Sequence, residues 1–180
     1  MRSGIKALGY SGLIFVSLSL LLLARGAGAN MLASLQRDGA NIDLVVRKIV
    51  VSPARAHVGD TIRIEMVWGY WGDIVSNYYD TTTAEVLANG KVVAGKPFVY
   101  NFGAQLGDEY RETFLWDTKG MAPGTYRIRG QVPLPLDATP YDNFLVVKEP
   151  VILAPQGAPF PSGEESGGTV SAKNPFWRDR

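Results

Sequence analysis

Two patterns of apolar residues divide the chain. Residues 7–24 form an uncharged, largely apolar run, whereas from Asp43 onward apolar and polar residues alternate in short segments. Residues 61–68 alternate most clearly. Their apolar side chains share one face of a strand: Ile62, Ile64, Met66 and Trp68. A period of two residues predicts a half-buried β-strand, so the larger part of the chain is expected to be a β domain.

Further segments of this kind alternate with turn signals. The predicted strands are residues 43–51, 61–68, 81–88, 91–94, 98–100, 110–117, 125–132 and 143–147. Asn89-Gly90 predicts a tight hairpin, because both residues tolerate positive φ, and residues 69–80 are expected to form an irregular loop. About seven strands without a long helical pattern predict an all-β fold, a single immunoglobulin-like antiparallel β-sandwich. Trp68, Trp116 and Tyr126 are expected to fill its core.

The N-terminal run is typical of an export signal. Arg2 and Lys6 precede it, and the small residues Ala27-Gly28-Ala29 follow it. The small residues favour cleavage after Ala29, whereas the uncharged run reaches the lower limit for a membrane-spanning helix, about 17 to 20 residues. The sequence therefore supports two alternatives for this segment, a cleaved signal peptide and a retained hydrophobic helix. Both predict a domain outside the cytoplasm, in the periplasm, at the cell surface or in the medium.

These patterns give a four-part organisation. We expect a signal peptide or membrane anchor at residues 1–29, a linker at 30–41 and the sandwich at 42–153. Residues 154–180 are rich in Pro, Gly and Ser and are predicted to be a disordered or extended tail.

Composition excludes several function classes. Three of the 18 Lys and Arg residues lie in the leader, which leaves 15 basic against 17 acidic residues in the remainder. This balance does not favour nucleic-acid binding, which needs a clustered basic surface. The chain has no Cys, so lipid attachment through Cys, thiol catalysis and thiolate metal sites are excluded. No cofactor is predicted.

Several motifs together resemble those of a known family. They are Asp43-Leu44-Val45-Val46, Ser52-Pro53, Val58-Gly59-Asp60, Asn89-Gly90-Lys91, Phe114-x-Trp116, Ala122-Pro123-Gly124-Thr125-Tyr126 and Asp142-Asn143. Over residues 43–147 the chain resembles a CARDB domain, an immunoglobulin-like module of bacterial and archaeal surface proteins. The resemblance implies a fold rather than an activity, because each motif is a turn or core position. The long aromatic loop at residues 69–80 departs from the family pattern.

Aromatic residues supply the candidate partner-binding positions. Tyr70, Trp71, Tyr78 and Tyr79 lie in or beside the predicted loop, and Phe176 and Trp177 lie in the tail. Exposed aromatic side chains on loops are frequent anchors for protein partners. The structural interpretation is that the loop packs on its own side chains and that the C-terminus is frayed.

Several acidic residues are candidate ligands for Ca²⁺. Asp137, Asp142 and Asn143, together with Asp73 or Asp80, offer oxygen ligands at a loop end. No spacing matches a defined calcium loop, and Asp and Asn in turns commonly bond nearby backbone. The structural interpretation is therefore favoured, and no metal is predicted.

The sequence does not indicate catalysis. His57 is the only histidine, and no G-x-S-x-G pattern accompanies it; nothing singles out a carboxylate pair such as Asp108 and Glu112. The expected function is a non-catalytic, exported protein-interaction module, an accessory or structural subunit of a cell-envelope or surface assembly. The membrane is a further expected contact through residues 7–24. The alternative is a carbohydrate-binding or adhesion module that uses the aromatic loop 69–80.

Overall fold

The computed structural model describes residues 43–72, 79–101, 108–134, 137–160 and 166–175. The leader, the linker, Asp73, Tyr78, Phe176 and Trp177 lie outside these ranges. Every regular element in the described ranges is a β-strand. Accordingly, these ranges contain no helix of the length and apolarity needed to cross a membrane.

Eleven strands make up the described domain. They are β1 (Leu44–Ser52), β2 (Arg55–His57), β3 (Thr61–Tyr70), β4 (Tyr79–Ala88), β5 (Lys91–Asn101), β6 (Glu109–Asp117), β7 (Gly124–Tyr126), β8 (Ile128–Gln131), β9 (Phe144–Val146), β10 (Val151–Ala154) and β11 (Val170–Lys173).

The strands form the two layers of a sandwich. One sheet has the order β11-β1-β3-β6, a second has the order β5-β4-β8-β9, and a third has the order β2-β10-β7. Only Arg127 separates β7 from β8, and both of these strands pair antiparallel with the β9–β10 segment. The second and third sheets are therefore one interrupted layer, which faces the first. This arrangement is an all-β, immunoglobulin-like sandwich, as the strand pattern predicted.

Alternation along β3 builds the core. Ile62, Ile64, Met66 and Trp68 are all 0% exposed. In the register of β3 with β6, Ile62 lies opposite Trp116 and Ile64 lies opposite Phe114, and both of these aromatic residues are buried. The inward face predicted from the sequence is confirmed.

A tyrosine corner fixes the start of the β7–β8 segment. The Tyr126 hydroxyl donates a hydrogen bond of 2.6 Å to the carbonyl of Ala122, four positions upstream. The Tyr126 ring also packs edge-on against Trp116, with 5.5 Å between ring centroids. A tyrosine that bonds back to the preceding corner is characteristic of immunoglobulin-like sandwiches.

The predicted hairpin is present, and its turn is hydrogen-bonded to the segment that contains β7 and β8. Asn89 and Gly90 adopt φ values of 49° and 80°, the left-handed conformation that such a turn requires. The Asn89 side chain accepts a hydrogen bond from the Arg127 backbone N–H and donates one to the Thr125 carbonyl. The turn therefore also fixes the segment between β7 and β8.

The structure corrects the prediction of a disordered or extended tail for the described part of residues 154–180. Val170–Lys173 form β11, which pairs antiparallel with the edge of β1. Phe160 is 7% exposed, and its ring lies 4.7 Å from the His57 ring. The four-residue strand has little apolar pattern of its own, so its pairing depends on the free edge that β1 offers.

Strand boundaries also differ from the prediction. β3 continues to Tyr70, so the irregular loop begins later than residue 69. Residues 125–132 divide into β7 and β8, and β10 is an additional strand. The described strands consequently number more than the seven expected. The division between β7 and β8 falls where the chain passes from pairing with β10 to pairing with β4.

Candidate functional site

Strand register brings several connections to one end of the sandwich, which we call the loop end. Leu44 lies opposite Tyr70, and Gly69 lies opposite Glu109. In the other layer Tyr79 lies opposite Asn101, and Gln131 lies opposite Phe144. The loop end therefore contains the start of β1 and the strand ends that adjoin residues 71–78, 102–107 and 132–143. In immunoglobulin variable domains the corresponding end carries the binding loops.

Three carboxylates meet at the loop end. Asp43 directly precedes β1, and Asp137 and Asp142 belong to the connection between β8 and β9. One carboxylate oxygen from each residue lies within 4.8 Å of the other two. Asp43 is buried, and the other two are partly buried. We call this group the acidic cluster.

Hydrogen bonds hold the acidic cluster between β1 and the β8–β9 connection. Asp137 accepts from the Leu44 backbone N–H through Oδ2 and from the Thr139 backbone N–H through Oδ1, each at 2.8 Å. The Thr139 hydroxyl donates to Asp43 Oδ1 at 2.7 Å. In addition, the Val46 N–H donates to the Asp142 carbonyl at 2.9 Å. The cluster therefore has a defined backbone frame.

Two buried oxygen atoms of this region have no hydrogen-bond partner: Asp142 Oδ1 and Asn143 Oδ1. Asn143 is only 5% exposed, and its side chain lies beside the Asp137 carboxylate, so the amide borders the cluster. A buried polar atom without a partner is uncommon, because burial without a hydrogen bond costs about 1–3 kcal/mol. The cluster thus contains acceptors that the protein itself does not satisfy.

Burial and mutual repulsion weaken the acidity of the cluster. Burial raises the pKa of Asp137 to about 6, and the charge of Asp43 adds to this effect against the hydrogen bonds from Leu44 and Thr139. Burial also raises the pKa of Asp142 to about 6, with further contributions from the charges of Asp43 and Asp137. The pKa of Asp43 is likewise raised by burial. At neutral pH the cluster therefore holds negative charges close together, which lowers the free energy of unfolding.

The structure separates the predicted aromatic positions. Tyr70 is 2% exposed and lies in β3, whereas Trp71 is 38% exposed and directly follows that strand. Tyr79 begins β4, where its backbone pairs with Asn101. Tyr78, Phe176 and Trp177 lie outside the described residues. Of the predicted positions, Trp71 is thus the one with a described, exposed side chain.

Sequence reasoning missed two residues of the loop end. Asp43 was assigned only to the start of a strand, yet it supplies the third carboxylate in place of Asp73 or Asp80. Asp73 lies outside the described residues, and the Asp80 backbone is in β4. Tyr141, which is 69% exposed, was not singled out. Its position directly before Asp142-Asn143 was the available signal.

The structure gives His57 and Glu112 partners outside the acidic cluster. His57 Nε2 lies 2.9 Å from the carbonyl of Ala158, and the His57 ring packs on Phe160. Glu112 forms an ion pair with Lys96, and Asp108 is exposed immediately before β6. His57 therefore anchors the segment that follows β10.

Comparison with known proteins gives a similarity of structure alone. No protein-family model matches the chain, and no curated protein matches it. Similar solved structures include a crystal structure of the CARDB domain of the PF1109 protein from Pyrococcus furiosus in complex with di-metal ions. It is 19% identical, covers 64% of this chain and 96% of its own, and has a TM-score of 0.48. A solution NMR structure of the same domain is 18% identical, covers 63% and 96%, and has a TM-score of 0.46. Both of these structures are of a CARDB domain.

Proposed function

We propose that this protein is an exported, non-catalytic interaction module that binds a protein partner of a cell-envelope or surface assembly through its loop end. The observation that carries the proposal is the pair of exposed aromatic side chains beside the acidic cluster. Trp71 is 38% exposed and Tyr141 is 69% exposed. Large aromatic side chains on loops held by a rigid scaffold are typical anchors of protein interfaces.

The backbone on both sides of the cluster is pre-organised. The Trp71 N–H donates a hydrogen bond of 2.9 Å to the Asp43 carbonyl, and the Asp142 N–H donates one of 3.1 Å to the Thr139 carbonyl. Trp71 and Tyr141 are therefore presented from backbone that is already fixed. Such pre-organisation supports binding, because less conformational entropy is lost when a partner docks.

Two further features support the remaining parts of the proposal. The leader, with Arg2, Lys6 and Ala27-Gly28-Ala29, favours export. His57 is engaged in holding the segment after β10, which supports a non-catalytic role.

The test compares aromatic substitutions at the loop end with one on a sheet face. The native protein is purified from membranes and from medium as wild type, as the double variant Trp71→Ala/Tyr141→Ala and as Leu115→Ala. Leu115 is 65% exposed and lies in β6, so it is a matched exposed control. The proposal predicts that a co-purifying protein is lost from the double variant and kept by the control, while circular dichroism shows that both variants fold.

Retention of the same partner by the double variant would contradict the proposal. The carbohydrate-binding alternative has a different outcome. Under it, the double variant loses retention on a glycan column while any protein complex persists. Sequencing the mature N-terminus in the same preparation distinguishes cleavage after Ala29 from a retained anchor.

A further inference from the structure

We propose that the acidic cluster binds one Ca²⁺ ion, with Asp43, Asp137, Asp142 and Asn143 as its protein ligands. The site joins the start of β1 to the β8–β9 connection at the loop end. It is independent of the identity of any partner, and its test does not require one.

The donor set selects a hard divalent cation. Three carboxylates and one amide carbonyl offer only oxygen, which Ca²⁺ and Mg²⁺ prefer, whereas Zn²⁺ sites usually include His or Cys. Ca²⁺–oxygen distances of about 2.3–2.6 Å place opposite ligands about 4.6–5.2 Å apart. The cluster oxygens lie within 4.8 Å of one another, so all three carboxylates can reach a single Ca²⁺.

Unsatisfied acceptors distinguish this cluster from an ordinary group of surface acids. Asp142 Oδ1 and Asn143 Oδ1 are buried and have no hydrogen-bond partner. Asn143 is 5% exposed, and its side chain lies beside the Asp137 carboxylate. A bound cation would satisfy both oxygens at once, and it would offset the repulsion between the three carboxylates.

The surrounding structure favours Ca²⁺ over Mg²⁺. Asp137 already accepts two backbone hydrogen bonds, from Leu44 and Thr139, so its carboxylate is fixed by the fold rather than free to adapt to a small ion. Ca²⁺ tolerates irregular coordination, whereas Mg²⁺ demands near-ideal octahedral geometry at about 2.0–2.1 Å. We therefore expect Ca²⁺ to bind more tightly than Mg²⁺.

The primary experiment measures metal binding by the whole protein after treatment with a chelator. Equilibrium dialysis against radioactive Ca²⁺ should give one ion per chain, with a Kd of about 10⁻⁴–10⁻³ M or tighter, the range of extracellular modules. At pH 7.5, 10 mM CaCl2 should raise Tm by about 5 °C. The same concentration of MgCl2 should give a smaller shift.

Matched variants assign the binding to the cluster. Asp142→Asn keeps the shape of the side chain and removes one charge, so it should fold in chelator and bind Ca²⁺ at least tenfold more weakly. Asp43→Asn is a second variant with the same expected loss. Glu149→Gln removes an exposed carboxylate outside the cluster and should bind as the wild type does.

Two results would overturn the assignment. One is a wild-type protein that neither binds Ca²⁺ in dialysis nor shifts its Tm by more than 1 °C. The other is undiminished Ca²⁺ binding by folded Asp142→Asn and Asp43→Asn, which would mean that the ion binds elsewhere.

Discussion

Leu44 and Asp137, 93 positions apart in the chain, are joined by a hydrogen bond of 2.8 Å from the Leu44 backbone N–H to Asp137 Oδ2. This bond fixes the β8–β9 connection against the first residue of β1. Leu44 is fully buried, and its bond to Asp137 is partly buried. The relationship between these two residues therefore holds the acidic cluster in place.

Asp137→Ala should destabilise the fold through this bond. The substitution leaves the N–H groups of Leu44 and Thr139 without their acceptors, and a buried unsatisfied donor costs about 1–3 kcal/mol. Asp137→Asn retains one carbonyl oxygen and should lose less stability than Asp137→Ala. Urea unfolding in the presence of chelator measures both free energies of unfolding. Equal stability of Asp137→Ala and the wild type would show that the bond does not contribute.

The raised pKa values predict a specific pH dependence in chelator. Asp137 and Asp142 have pKa values of about 6 in the folded protein, above the value of about 3.9 for an unfolded Asp. Between about pH 4 and pH 6 the folded state therefore binds more protons, and its stability rises as the pH falls through this window.

Asp142→Asn tests this prediction, since it removes one titrating group and one like charge. Its Tm should exceed that of the wild type at pH 7.5, and the difference should shrink as the pH is lowered to 4.5. Differential scanning calorimetry at several pH values checks the trend. A difference that is constant with pH would rule out the repulsion between these carboxylates as its cause.

Gly130 has no room for a side chain unless two core side chains move. A Cβ at this buried position in β8 would lie 2.6 Å from Met66 Sδ and 2.8 Å from Ile49 Cδ1. Gly130→Ala should therefore lower the free energy of unfolding by about 1–3 kcal/mol, the usual cost of overpacking. Adding Ile49→Val removes the Cδ1 atom and should recover part of the loss.

Gly95→Ala is the matched control for Gly130→Ala. Gly95 is exposed in β5, and its Cβ would lie 3.3 Å from Thr83 Cγ2. Its free energy of unfolding should change by less than about 0.5 kcal/mol. Equal losses at the two positions, measured by urea unfolding, would contradict close packing at Gly130.

The tyrosine corner predicts that removing one oxygen atom, the Tyr126 hydroxyl, lowers the free energy of unfolding. Tyr126→Phe keeps the ring packed on Trp116 but removes the hydrogen bond to the Ala122 carbonyl. The expected cost is about 0.5–1.5 kcal/mol. Tyr141→Phe, at an exposed position, should change stability little. A thermal unfolding series in which the two variants behave alike would contradict the role of the corner.

The core could be predicted from the sequence because its signals are local. Alternation along β3 assigns Ile62 and Trp68 to one face without reference to any other segment. The turn at Asn89-Gly90 likewise follows from the two residues that form it. β11 could not be predicted this way, since its four residues depend on pairing with β1.

The acidic cluster required the three-dimensional register. Asp137, Asp142 and Asn143 were weighed as ligands from their proximity in the chain, but the third carboxylate, Asp43, belongs to the opposite end of the domain sequence. The bonds from Leu44 to Asp137 and from Thr139 to Asp43 bring it close. The exposure of Trp71 beside buried Tyr70 also depends on where β3 ends.

Site-specific photocrosslinking in cells tests most directly the claim that the loop end binds a partner. A photoreactive phenylalanine analogue replaces Trp71 in one strain and Leu115 in another, two positions that are both exposed. We expect a crosslinked protein adduct from position 71 and none from position 115. An adduct that forms from position 115 but not from position 71 would contradict it.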